Sequence, residues 1–523
     1  MKSIGMKYIK KIIFTLLNIT IGLSQAYDGY TIFSPVGGGP GGPGGGNSYL
    51  INNDLETIHT WSHSRGAASM PYLLPDSSII YPFRVQNPTM IAGGVGGGIA
   101  HILWDGFIVW EFIVSNDIYQ HHHDVQPLPS GNVLVIAWER KTAEEAAAMG
   151  RFDEPFTDVN GDGEWNVGEP FTDLNNDNTW TQAINNALGE IWAEAILEIE
   201  PVGSDNGNVV WEWHIWDHLI QNYDPSLPGY GNISDHPELM DINYGNAGSD
   251  QGPGGPNGDW KHFNAIDYNA DLDQIVISSR HHDEIYIIDH STTTLEAAGH
   301  TGGNSGMGGD ILYRWGNPQV YDRGNDDDQL LDSQHGVNWI PEGFPGAGNL
   351  ILYNNNYSNN NSAVFEIVTP VGEDGNYTIE VGQPYDPEGP VWMHSGGFHS
   401  NVQSGAFRLP NGNTLITDAD DARMFEVTNS GTTVWNYDYP GGTVNLARAQ
   451  KYDPEYLTGT IEFPEYTVGD VNFDGLFDII DLCYIVNMMT DYGYYPTPPA
   501  DINGDGNVNI SDLVSFIQLI MQY

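Results

Sequence analysis

Ser404-Gly-Ala-Phe-Arg-Leu-Pro-Asn-Gly-Asn-Thr-Leu-Ile416 is followed by Phe425-Glu-Val-Thr428 and then by Gly431-Thr-Thr-Val-Trp435. The three segments are rich in β-branched and aromatic residues, separated by Pro, Asn and Gly, and too short for helices. They read as consecutive strands joined by tight turns. The tryptophan strand recurs as Glu56-Thr-Ile-His-Thr-Trp61, Gly106-Phe-Ile-Val-Trp110, Gly207-Asn-Val-Val-Trp211, Gly309-Asp-Ile-Leu-Tyr-Arg-Trp315 and Gly389-Pro-Val-Trp392. The first segment has counterparts at Tyr72–Ile80, His123–Val135, His262–Tyr268 with Ile275–Ile277, and His335–Pro341 with Leu350–Leu352. The middle one recurs at Glu284–Asp289 and Phe365–Val368.

Six copies of a three- or four-strand unit, each with its own aromatic plug, specify a six-bladed β-propeller; a two-sheet sandwich has no need of six copies. The expected fold class is all-β, with the propeller over residues 27–464 and a small α-helical module over 465–523. The sixth tryptophan strand is expected to pair with strands around Tyr30–Phe33 and close the ring. Residues 141–187 interrupt the repeat: Thr142–Met149 favours helix, and an acidic double loop follows.

Composition agrees. The 523 residues include 63 Gly and 31 Pro, in keeping with a turn-rich body, and 40% are hydrophobic, which excludes wholesale disorder. A formal charge of −52 repels phosphate backbones and anionic lipids and excludes a nucleic-acid partner. The single cysteine, Cys483, rules out intrachain disulfides and Cys-based zinc sites, and reads as a buried packing residue. Met1–Ala26 reads as a secretory signal peptide, with lysines ahead of the apolar run Ile12–Leu23 and small residues at Ser24-Gln25-Ala26. No later stretch approaches about 18 uninterrupted apolar residues. The expected mature protein is exported, without a membrane span, to the exterior, the cell surface or the periplasm.

Three acidic loops carry calcium-ligand spacing. In the first, Asp158, Asn160 and Asp162 offer side-chain oxygens, Gly163 allows the turn, Glu164 offers its carbonyl, Asn166 acts directly or through water, and Glu169 closes the site, as in an EF-hand. A weaker copy begins at Asp173. The C-terminal pair comprises Asp470, Asn472, Asp474, Leu476, Asp478 and Asp481, leading into an apolar helix Leu482–Met489, and Asp501, Asn503, Asp505, Asn507, Asn509 and Asp512, leading into Leu513–Met521. Ca2+ is expected in these loops in a structural role. Loop, spacing and following helix, with Asp at position twelve, resemble a type I dockerin over about Tyr466–Tyr523. The resemblance implies a calcium-dependent module that docks a cohesin-type partner.

Histidines cluster where the inner segments begin: His121, His122 and His123, then His262, His335, and His394 with His399. Equivalent positions of different blades meet at the central channel, so these residues can converge as a metal site or as nucleophile and acid–base groups. His121–Asn132, Asp259–Asp267 with Ile277–His281, Gly309–Gly316, Gln334-His335 and Leu409–Ile416 look like the arylsulfate sulfotransferase family, from about Tyr27 to Tyr439. The resemblance implies transfer of a sulfuryl group from a phenolic sulfate donor to a phenol acceptor, without a nucleotide donor or organic cofactor, through a transiently sulfated histidine. His262 and His335 match two of the family's channel histidines. The family's nucleophilic histidine lies later, where His394 and His399 are the candidates. A family arginine is replaced by Asn354-Asn355-Asn356. Lys261, Asn264, Arg280 and His123 are candidates for substrate binding; the alternative for the two cations is pairing with Asp267 and Asp283. Competing functions are a non-catalytic binding propeller mounted on a scaffold by its tail, and, less favoured, a quinone-dependent dehydrogenase.

Overall fold

The structure, a computed structural model, describes residues 25–36, 46–161, 165–173, 180, 182–358, 360–440, 445–458, 468–469, 471, 479–490, 500, 502–503 and 508–520. The signal segment up to Ser24, and Asp162, Glu164, Asp470, Asn472, Asp474, Leu476, Asp478, Asp501, Asp505 and Asn507 among the calcium candidates, lie outside the described residues.

Six antiparallel four-stranded sheets form the blades. Blade I combines Tyr30–Val36, Gly46–Ile51 and Thr57–His63 with Asn445–Tyr452 from the far end of the propeller. Blade II is Tyr72–Leu73, Ile79–Arg84, Gly97–Ile102 and Ile108–Ile113. Blade III is Tyr119–Pro127, Val133–Thr142, Glu190–Val202 and Asn206–His214. Blade IV is Phe263–Asn269, Gln274–Ser279, Glu284–Asp289 and Tyr313–Trp315. Blade V is His335–Trp339, Leu350–Ser358, Asn361–Ile367 and Trp392–Ser395. Blade VI is Gly405–Arg408, Thr414–Asp418, Arg423–Val427 and Thr433–Asp438.

All six repeated tryptophans fall on the outermost strand of their blade, and five of them latch onto the next blade. The indole N–H of Trp110 donates to Asn206 O (2.7 Å), that of Trp211 to Thr292 Oγ1 (3.1 Å), and that of Trp315 to Pro387 O (2.8 Å). Trp392 donates to Asn429 O (2.8 Å) and Trp435 to Asn53 O (3.0 Å). Trp61 instead meets Trp104 edge-on, at 5.4 Å between ring centroids. The repeated residue is thus a joint between blades: its ring packs between sheets, and in four copies its one donor finds a backbone carbonyl of the next blade, in Trp211 a hydroxyl.

Ring closure departs from expectation. The Trp435 strand stays at the rim of blade VI, and the strand that pairs with Tyr30–Val36 is Asn445–Tyr452, in register from Tyr30↔Tyr452 to Val36↔Asn445. The reason is geometric: blade I lacks its innermost strand, so the chain has to return from rim to channel before it can pair. Buried Lys451 then donates to Glu426 (2.8 Å), tying blade I to blade VI.

In the insertion, Ala143–Ala148 is helical, started by a capping box of Thr142 and Glu145. Two further helices, Ile479–Thr490 and Ile510–Ile520, pack around Val471, Ile485, Ala500 and Phe516. Cys483 is exposed rather than buried, because Leu482, Ile485 and Met489, at helical spacing, take the inward stripe. No helix of the described residues is long and apolar enough to cross a membrane.

Candidate active site

The innermost strands of blades III, IV and V each lose register where they carry a channel histidine: between His121 and Val125, between Phe263 and Ala265, and between His335 and Asn338. These bulges re-aim side chains out of the ladder. His123 and His262 have left-handed backbone, φ 52° and 55°, a strained conformation that turns their rings into the channel. The result is one cavity of about 840 Å³ lined by His123, His262 and His335 with Arg280, His281 and Asp259. The rings of His123 and His262 are 4.6 Å apart, those of His123 and His335 6.5 Å, and those of His262 and His281 4.7 Å.

Each channel histidine has its Nδ1 occupied from behind. His262 Nδ1 bonds Asp259 Oδ2, whose other oxygen accepts the Trp138 indole N–H (3.0 Å). His335 Nδ1 donates to Ser333 O (2.9 Å) and Asn355 Oδ1 (2.8 Å). His123 Nδ1 meets His122 Nδ1 (2.9 Å), and His122 Nε2 meets buried Glu194 (2.9 Å). Wherever Nδ1 is the donor, the Nε2 lone pair faces the cavity. Burial drives the pKa of His262 well below its ordinary value, with Arg280 adding repulsion. Burial and then neighbouring His262 do the same to His123, and burial with Arg280 lowers His335 to about 3. The rings are therefore neutral at neutral pH, available as nucleophiles and proton acceptors. Arg84 and Arg280 bring guanidinium groups to the cavity wall, and the Nε of Arg280 is buried without a protein hydrogen-bond partner.

The channel is bolted below the histidines. Arg448 of the closing strand reaches both oxygens of Asp124 (2.6 Å each) and the Tyr72 hydroxyl (2.8 Å), joining blades I, II and III across the axis. A second cavity of about 680 Å³, with Trp339, Phe344, Phe407 and Tyr456 in its walls, lies at the opposite end of the inner strands.

Other expected site residues go elsewhere. Lys261 is fully buried behind the wall, 3.4 Å from the Trp260 ring centre and bonded to His282, so it reaches neither the cavity nor Asp267. Asn264 lies beside a small void with His123 and His335, its amide donating to Gln334 O (2.7 Å). His394 sits on the outermost strand of blade V, stacked between Trp392 and Phe398. His399 contacts Ser362 Oγ (3.4 Å) and does not line the cavity. The structure therefore does not bring these two histidines to His123, His262 and His335. Asp259, Glu194 and Asn355, which orient the histidines, were not singled out from sequence; the proximity of Asp259 to His262 in the chain was the one available signal.

Among the described residues, two groups have donor atoms close enough to share an ion: Asp259–His262–His281, and, outside the cavity, His218–His300–Asp310. In the second, both imidazoles bond Asp310; in the first, His262 bonds Asp259 while His281 bonds Trp260 O (3.3 Å). In the acidic loops, the position-twelve carboxylates turn back onto their own loop. Glu169 accepts from Val159 and Asn166 N (2.8 and 2.9 Å), Asp481 from Val471 N (2.7 Å), and Asp512 from Asn503 and Asn509 N (3.2 and 2.9 Å). Asp158 accepts from Gly161 N (2.5 Å), which tightens the turn. Asp158, Asn160, Asn166 and Glu169 are the described members of the first loop's expected ligand positions.

Residues 190–377 match the family model described as Arylsulfotransferase (ASST). That match and the six-bladed propeller together support the family and a sulfotransferase assignment. No curated protein gives a significant match. Solved structures similar to the chain include a protein of unknown function from Bacteroides caccae, at 12% identity and TM-score 0.38, covering 81% of this chain and 98% of that one. Apo AztD from Citrobacter koseri is 10% identical at TM-score 0.31, covering 81% and 99%. A catalytically inactive virginiamycin B lyase from Staphylococcus aureus with quinupristin is 10% identical at TM-score 0.30, covering 81% and 88%.

Proposed function

We propose that the protein is an exported, nucleotide-independent aryl-sulfate sulfotransferase that passes a sulfuryl group from a phenolic sulfate ester to a phenol through a sulfated histidine. The supporting observation is the convergence of His123, His262, His335 and Arg280 on one cavity of the propeller. A sulfate ester is a single anion with three equivalent oxygens. The guanidinium groups of Arg84 and Arg280 with a set of neutral imidazoles suit such an anion, offering positive charge and donors to sulfuryl and phenolate oxygens. The family arginine absent at Asn354–Asn356 is offset by Arg280, which enters from blade IV; Asn355 is engaged in holding His335. Because His394 and His399 lie off the cavity, the nucleophile is one of the channel histidines.

Calcium is proposed to hold the Asp158–Glu169 loop and the C-terminal module, whose apolar helix pair follows a dockerin plan and would dock a cohesin-type partner. The Met1–Ala26 segment would direct export. The decisive experiment incubates purified protein with 4-nitrophenyl sulfate and a phenol acceptor. Release of nitrophenol matched by a new sulfate ester supports the proposal. Saturable binding without turnover leaves a binding propeller instead.

A further inference from the structure

We infer that His262 is the residue that accepts the sulfuryl group, with Asp259 as its positioning residue; this rests on the sulfuryl-transfer reading. Four histidines line the cavity, His123, His262, His281 and His335, and what lies behind each ring distinguishes them; His281 Nδ1 meets only the Trp260 carbonyl (3.3 Å). His335 is held by an amide oxygen and a backbone carbonyl, and His123 by a second imidazole. Only His262 has a carboxylate on its Nδ1. An N-sulfated imidazole keeps its Nδ1–H and gains positive character. A carboxylate stabilises that species far more than a neutral oxygen does, and it fixes the tautomer whose Nε2 lone pair attacks.

The surroundings hold this dyad rigidly. Asp259 is buried and anchored by Trp138. Glu194 accepts from the backbone N–H of Phe263 (2.9 Å), next to the left-handed His262. The Arg280 backbone N–H donates to the His262 carbonyl (3.1 Å), which keeps this guanidinium in register with the nucleophile.

In the first half-reaction, Nε2 of His262 attacks the ester sulfur. The N–S bond forms as the bond from sulfur to the aryl oxygen breaks, and the electron pair leaves on the phenolate beside Arg280, which takes a proton from water. In the second, the acceptor phenol gives its proton to Nε2 of His123, whose ring is 4.6 Å from that of His262. The phenol oxygen then attacks sulfur, the N–S electron pair returns to His262, and His123 releases the proton to water.

The test uses the full chain and 4-nitrophenyl sulfate without acceptor, quenched in alkali and mapped by peptide mass spectrometry. The expected result is one sulfuryl adduct on His262, absent in His262→Gln and retained in His335→Gln. Asp259→Asn should lower the nitrophenol burst rate about 10²-fold or more while KM for the ester stays within about threefold. A merely structural Asp259 would reduce the folded fraction and leave the burst rate of the folded molecules unchanged. An adduct on any other histidine in a turning-over wild type overturns the assignment but leaves sulfuryl transfer standing. Neither turnover nor adduct in the wild type overturns both.

Discussion

Removing the cation of the channel bolt tests whether the axis of the propeller is held by a charge pair. Asp124 is fully buried and Arg448 is 5% exposed. In Arg448→Met the Asp124 carboxylate keeps only the Tyr72 hydroxyl (2.9 Å) and the Ile266 N–H (3.2 Å). Stranding one member of a buried ion pair costs about 3–5 kcal/mol, whereas replacing both with apolar groups of similar volume is commonly neutral or stabilising. Arg448→Met and Asp124→Leu should therefore each lose about 3–5 kcal/mol, and the double variant should fall within ~1 kcal/mol of the wild type. The assay is urea unfolding followed by tryptophan fluorescence, compared at constant m. A single-variant loss under about 1 kcal/mol, or a double variant at the sum of the singles, would refute the reasoning.

Further outcomes are expected elsewhere in the molecule. Trp110→Phe removes the latch to Asn206 O and should destabilise by ~1 kcal/mol in the same assay, the net worth of one hydrogen bond. At Gly94, φ 76°, an added Cβ would lie 2.0 Å from His123, so Gly94→Ala should depress aryl-sulfate turnover at least tenfold while the circular dichroism spectrum stays unchanged. Burial pushes the Asp241 carboxyl up from 3.8 to about 7, so the folded chain keeps a proton that the unfolded chain has already lost. This contribution makes stability fall as pH rises from about 4 to about 7, and Asp241→Asn should flatten that slope in unfolding midpoints taken across the window. Calcium at a hundredfold excess over its Kd should stabilise the loop-bearing chain by about 2.7 kcal/mol per site, and calorimetry that detects no binding would remove the calcium proposal.

Much was legible along the chain because it is local. The tryptophan strands and the inner segments announce themselves by composition and turn residues, and each repeat places them at the same depth in a blade. That is why His123, His262 and His335, standing at one position of the repeat, could be expected to meet. Other assignments failed for equally physical reasons. Lys261 adjoins His262 in sequence, but the left-handed backbone of His262 turns its ring into the cavity while Lys261 packs on Trp260 behind it. His394 shares its strand with Trp392, one of the repeated tryptophans, and the pairing of that strand with Asn361–Ile367 puts both at the rim.

By itself, then, the sequence determined the number of blades, the aromatic plug of each and the position in the repeat at which histidines reach the axis, since these follow from short-range periodicity. The tertiary structure decided which strand closes the ring, that Arg448 and Asp124 bolt the channel, and that Asp259 stands behind His262. Those contacts join groups brought together by ring closure or by a bulge in the backbone, and spacing along a strand does not encode either one.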